Sequence, residues 1–237
     1  MDFRSRLLAT LRRLAPLLQE PGVLVVGSEV PNLLEPGAAS TLVVSQDVDI
    51  GVPVEHHAAV KELLAGLEGL RPSREEPSVW VPDSPELLEV NFVGIDRATR
   101  GPDDTYVLED PELPLIVFGL LSLLRPGPRV QAEDLEVPLP RTAGLLLEKL
   151  ATERSGEKGD RDLLVALGLL LVATDRDLTE AEEQYASLPD ELRHAVRSNL
   201  ATLSLIEPRP AMPDPRPHRD AVSALLRRLE ALQGVQS

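Results

Sequence analysis

Val23-Leu24-Val25-Val26-Gly27-Ser28 and, further along, Asp47-Val48-Asp49-Ile50 set the architecture expected of this chain. The first is a short apolar strand between glycines that ends in a turn, and Pro36-Gly37 closes the short helical segment running through Leu34. The second lies in a strand region predicted over Thr41 to Pro53. Residues i and i+2 of a strand share a face, so Asp47 and Asp49 stand side by side about 7 Å apart at the Cα level. Two like charges that close repel, and a divalent cation between them removes the repulsion. Hard oxygen donors suit Mg²⁺, which takes one or two carboxylates and completes its shell with water and substrate phosphates.

Upstream, Phe3, Leu7, Leu8, Leu11, Leu14 and Leu18 recur at helical spacing, predicting a helix over 3–19 that Pro21-Gly22 stops. Downstream, a helix is predicted over Val54 to Leu70, then strands at Ser78 to Val81 and Leu87 to Val93. The last of these sets Leu88, Val90 and Phe92 on one face and Glu89 and Asn91 on the other. Residues 95–138 read as irregular and Pro-rich, with a strand or short helix at Leu115 to Leu124 and a short strand at Leu135 to Pro138. From Pro140 the pattern turns helical: Thr142 to Thr152, Asp160 to Ala173, Thr179 to Ser187, Pro189 to Leu205 and Asp220 to Leu232. The expected fold is α+β, a mixed sheet with helices over 1–139 followed by a helical bundle over 140–237.

The 237 residues, 43% of them hydrophobic, suffice for a large core. The apolar runs Leu113 to Leu124 and Leu163 to Ala173 fall short of the roughly 20 residues that span a bilayer, and the basic, amphipathic N-terminus lacks the plan of a signal peptide. A cytoplasmic protein with no membrane partner is expected. The absence of cysteine excludes disulfides, zinc-thiolate sites and thiol nucleophiles. A formal charge of −15 opposes loose binding to nucleic acid, leaving Arg4 to Arg13 and Arg209 to Arg228 as local basic stretches. Aromatics at 3% equip the chain poorly for stacking on single strands, and neither a Gly-x-Ser-x-Gly elbow nor a Walker A loop is present.

Strand, Gly-Ser turn, short helix and then a strand with Asp-x-Asp resembles the nucleotidyltransferase superfamily, whose core is shared with DNA polymerase beta. The resemblance implies that Gly27 and Ser28 approach the triphosphate, with Ser28 donating its hydroxyl hydrogen, and that Asp47 and Asp49 hold Mg²⁺. A third carboxylate belongs on a neighbouring strand, where this chain reads Glu89-Val90-Asn91-Phe92 and so puts Asn91 in the aspartate's place. Glu89, two residues away on the same face, is the substitute metal ligand or base. The helical half, with Lys149, Lys158 and Asp162, resembles nucleotidyltransferases related to the AbiEii-type toxins of type IV toxin-antitoxin systems. That match implies that the two lysines contact phosphates in a cleft and that Asp162 orients one of them or the acceptor.

The expected activity is Mg²⁺-dependent transfer of a nucleoside monophosphate from an NTP to an RNA, protein or small-molecule hydroxyl, with an antitoxin-like protein as a further partner. The alternative is a catalytically silent protein of the same fold that binds nucleotide or another chain. Plainer readings stand beside these. Asp47 and Asp49 suit the solvated face of a half-buried strand, Gly27-Ser28 a strand-ending turn, and Lys149 the exposed side of an amphipathic helix with Asp162 at a helix start. His56 and His57 lack a third ligand at useful spacing, Trp80 reads as a core or sheet residue, and His194 as a helix-surface residue.

Overall fold

The computed structural model describes residues 2–34, 47–98, 101–102, 104–152, 156–208 and 214–233. In chain order the elements are α1 (Phe3–Arg13), β1 (Leu24–Val26), α2 (Val30–Leu34), β2 (Asp47–Pro53), α3 (His57–Ala65), β3 (Leu70–Pro72), β4 (Val79–Pro82), β5 (Glu89–Ile95), β6 (Thr105–Leu108), β7 (Leu115–Phe118), β8 (Pro126–Ala132) and β9 (Leu135–Pro140). Five helices follow: α4 (Thr142–Ala151), α5 (Gly156–Val172), α6 (Asp175–Ala186), α7 (Asp190–Leu205) and α8 (Arg219–Gln233). The chain forms two compact units, Met1–Glu29 with Val44–Pro140, and Val30–Val43 with Arg141–Ser237. The α+β class is as expected, with a mixed sheet and a set of C-terminal helices. Among the described residues no helix is long and apolar enough to cross a membrane.

In the first unit, β1 pairs antiparallel with β2, and β2 runs parallel to β5 along its whole length. The other edge of β5 is shared. Its start pairs antiparallel with β4, which continues to β3, while Val93 and Gly94 pair with the parallel strand β7, itself joined to β6. This makes β5 a central strand, and its alternation follows: Val90 and Phe92 are buried while Glu89 and Asn91 are half-buried. Trp80 is in the core, edge-on to Phe92 with ring centroids 6.2 Å apart. Helix α1 fixes the entry to β5, since the Thr10 hydroxyl accepts from the Leu88 amide at 2.8 Å and Arg6 donates to the Leu87 carbonyl at 2.8 Å.

In the second unit, α4 packs against α5, α6 and α7, and all ten of its residues are buried. A helix apolar nearly all round is stable only when enclosed, and the run Ala143 to Leu147 is such a helix. Asn199 of α7 satisfies the C-terminal end of α4 by donating to the carbonyls of Leu150 and Thr152 at 2.8 and 3.3 Å.

Several boundaries differ from expectation. Helix α1 stops at Arg13 instead of Gln19 because Pro16 has no N–H to continue the ladder; a separate 3-10 turn forms at Leu17–Gln19. The helix predicted to Leu70 ends at Ala65, and Leu70 opens β3 instead. In the stretch read as irregular the elements expected from Leu115 and Leu135 are the strands β7 and β9, while β6 and β8 were not expected, and β8 and β9 form a hairpin. Helix α6 begins at Asp175, four residues early, because Thr174 and Asp177 close a capping box. Of the strand region expected from Thr41, residues 41–46 lie outside the described residues, as does the Pro36-Gly37 stop.

Candidate functional site

Parallel pairing of β2 with β5 sets Asp47 beside Glu89 and Asp49 beside Asn91. All four side chains share one face, because Val48, Ile50, Val90 and Phe92 fill the other and are buried. Asn91 stands on the strand neighbouring β2, in register with Asp49. Its amide nitrogen donates to Asp47 Oδ2 at 2.8 Å and to Asp49 Oδ1 at 3.2 Å. Carboxylates only accept hydrogen bonds, so an amide facing two of them must present its NH₂, and its two hydrogens match the two acceptors. The pair that called for a cation is thus bridged by a neutral donor.

Antiparallel pairing of β1 with β2 brings Val26 opposite Asp49, so the turn at Gly27 lies directly over that carboxylate. Gly27 has φ +87°, in the left-handed region that favours glycine. A Cβ there would overlap Asp49 Oδ2 and stand 3.1 Å from its Cγ. The turn and the acid are therefore built as one piece. The Ser28 hydroxyl donates to Glu29 Oε1 at 2.9 Å. Glu29, only 1% exposed, escaped the sequence reading. Its signal was a carboxylate placed between a Gly-Ser turn and the apolar start of α2.

Asp47 and Asp49 fit a hard divalent cation: two oxygen donors, half-buried, on one face, which is the number Mg²⁺ commonly takes from protein. Glu89 shares the face across from Asp47. Among the described residues no group of three or more His, Cys, Asp or Glu converges as a metal cage.

In the helical unit Lys149 is 8% exposed, which removes its reading as a surface lysine. Its ammonium pairs with the equally buried Glu148 at 3.1 Å. Asp162 is half-buried on α5. Lys158 belongs to the first turn of α5, and its side chain lies outside the described residues.

Among the described residues the histidines do not converge on a metal site. His57 Nε2–H donates to the Leu113 carbonyl at 2.8 Å, tying α3 to the segment before β7, and His194 is exposed. Nearby, Lys61 pairs with Asp110 at 2.8 Å. The Lys61 ammonium, helped by the amides of Glu112 and Leu113, holds the Asp110 carboxyl well below the usual carboxylate range. A cavity of about 340 Å³ lined by Lys61, Pro72, Trp80 and Leu113 lies beside this pair, and its lining includes none of Asp47, Asp49 and Asn91.

No family model matches the chain, and no curated protein matches it. Among solved structures it is similar to an antigenic nucleotidyltransferase-like protein from Paracoccidioides brasiliensis, with TM-score 0.51 and 15% identity over 94% of this chain and 92% of that one. The solution structure of the antibiotic-resistance factor ANT(2'')-Ia aligns at TM-score 0.37 and 9% identity over 96% and 93% of the two chains. The first likeness spans nearly the whole of both chains, and with the carboxylate strands described above it shows that this chain has a nucleotidyltransferase-like fold.

Proposed function

We propose that this protein transfers a nucleoside monophosphate from a nucleoside triphosphate to an acceptor hydroxyl, using Mg²⁺ held by Asp47 and Asp49. The observation that carries the reading is the seating of Asp49 and Asp47 side by side, half-buried, on one strand face with the Gly27 turn pressed against Asp49. When bound, Mg²⁺ would supply charge neutralisation at the phosphoryl oxygens. The residues do the rest. Gly27, lacking a side chain, lets backbone approach phosphate; Ser28 turns its hydroxyl hydrogen from Glu29 to a phosphate oxygen. Glu89 is the carboxylate nearest to act as a third metal ligand or to take the acceptor's proton. The acceptor oxygen then bonds to the α-phosphorus as pyrophosphate leaves in line. From the resemblance, Lys149, Lys158 and Asp162 are proposed as nucleotide contacts, and kinship with the AbiEii-type toxins as the source of an antitoxin-like partner. The charge of −15 favours a protein or small-molecule acceptor over a long RNA.

The test is Mg²⁺-dependent transfer of label from each NTP into lysate, beside NTP binding, for wild type and the Asp47→Asn/Asp49→Asn variant. Transfer by the wild type that the variant loses supports the reading. Binding without any transfer would sink it in favour of a silent nucleotide-binding protein, the second reading, which the Asn91 bridge across both carboxylates favours.

A further inference from the structure

We propose that Asn91 is a specificity-determining residue that bars free divalent cation from the Asp47–Asp49 pair, so that the pair accepts its cation only together with the nucleotide that carries it. The inference rests on the assignment of Asp47 and Asp49 as cation ligands. Three observations support it. The Asn91 amide spends both hydrogens on the two carboxylates, at 2.8 and 3.2 Å. The backbone of β5 is clamped at this point, with Asn91 paired to Asp49 on one side and to Val79 on the other, so the amide is held at the pair. The residues on either side of it, Val90 and Phe92, are buried, which fixes the strand's roll.

Charge decides the consequence. An aspartate at position 91 would set four carboxylates on the face, beside Asp47, Asp49 and Glu89, and attract a bare dication. Asparagine leaves three, and of these Asp47 and Asp49 must each give up a charge-assisted hydrogen bond before they can ligate. A free cation meets that cost with Asp47, Asp49 and at most Glu89 in return, and must fill the rest of its shell with water. A cation already bound to a triphosphate arrives with its remaining oxygen ligands in place, and two carboxylates then complete its shell.

Mn²⁺ binding to the full chain, followed by electron paramagnetic resonance of the free ion, tests the proposal in wild type, Asn91→Ser, Asn91→Asp and Asp47→Asn/Asp49→Asn. Removing the bridge in Asn91→Ser should tighten Mn²⁺ binding by about tenfold, and Asn91→Asp should tighten it further. Adding a nonhydrolysable ATP analogue should narrow these gaps, because the wild type gains most. In the absence of metal, Asn91→Asp should melt below wild type, and Mn²⁺ should restore it. If Asn91→Asp folds only with metal, the serine variant carries the comparison. Weaker or unchanged binding by Asn91→Ser overturns the proposal, since the amide would then be a ligand or a bystander. If the Asp47→Asn/Asp49→Asn change, introduced into Asn91→Asp, leaves Mn²⁺ binding intact, the cation does not sit at the pair and the nucleotidyltransferase reading falls too. Loss of binding on that change, together with an indifferent Asn91→Ser, removes the barrier alone.

Discussion

One methyl group at Gly27 separates a built site from an ordinary turn. Alanine there must adopt a left-handed backbone and push its Cβ into the Asp49 carboxylate, and strain of this kind costs about 1–3 kcal/mol. Gly27→Ala is therefore expected to lower the urea midpoint by a corresponding amount and to weaken NTP binding as well, because the carboxylate must move to make room. A variant of wild-type stability would show that the turn and Asp49 are not tightly coupled. Strand periodicity alone put Asp47 with Asp49 and Glu89 with Asn91 on like faces of their strands, and the structure sets those two faces side by side. The sequence did not carry side-chain direction. Nothing in Gly27-Ser28-Glu29 says that the serine hydrogen turns to a buried glutamate, and nothing in Glu89-Val90-Asn91 says that one amide spans two acids, because both depend on which strands become neighbours and in what register.

Helix α4 sets a different problem, since an element enclosed on every side carries two charges, Glu148 and Lys149, paired at 3.1 Å. Breaking a buried pair from one side leaves the other charge uncompensated and costs about 3–5 kcal/mol, whereas replacing both partners by apolar groups is often near neutral. Lys149→Met should therefore destabilise strongly in urea unfolding, and Glu148→Leu/Lys149→Met should recover the part of the loss that comes from the stranded Glu148 carboxylate. If Lys149→Met keeps its stability but loses NTP binding, Lys149 serves the nucleotide rather than the helix. The sequence showed the helical stripe of α4 but not its complete burial, for the lone Glu148-Lys149 step looks like the solvated edge of an amphipathic helix. Strands fared according to their pattern. The alternating β5 and the apolar β1 were plain, whereas β8 opens Pro126-Gly127-Pro128 and buries only Ala132, so it offers no hydrophobic period to read and gains its place by pairing with β9.

For the molecule as a whole, net charge and carboxylate pairing decide how it responds to acid. Asp2, Asp110, Asp134 and Asp214 are all held below the ordinary carboxylate value of 3.8: Asp2 by the Ser5 amide, the others first by Lys61, Arg12 and Arg216 respectively. A carboxylate whose folded pKa is depressed stabilises the fold fully above its unfolded value, and the contribution is lost as pH falls through the folded one, where the unfolded chain binds more protons. Stability should therefore hold from neutral pH down to about pH 4 as far as these groups are concerned, and decline below it. Three of the four lie in the unit that contains Trp80, the chain's one tryptophan, so its fluorescence reports the unit where they act. Asp110 bonds to Lys61 and to two backbone amides, the largest set of partners among the four, so Asp110→Asn is the informative variant. Followed through Trp80, its urea midpoint should lie below wild type at pH 7, and the two curves should draw together as pH drops below 3.8. Added salt should narrow the gap at pH 7, because the pair is only half-buried and so partly screened. Parallel curves down to pH 2 would show that the Lys61–Asp110 pair contributes nothing to the acid response of the fold.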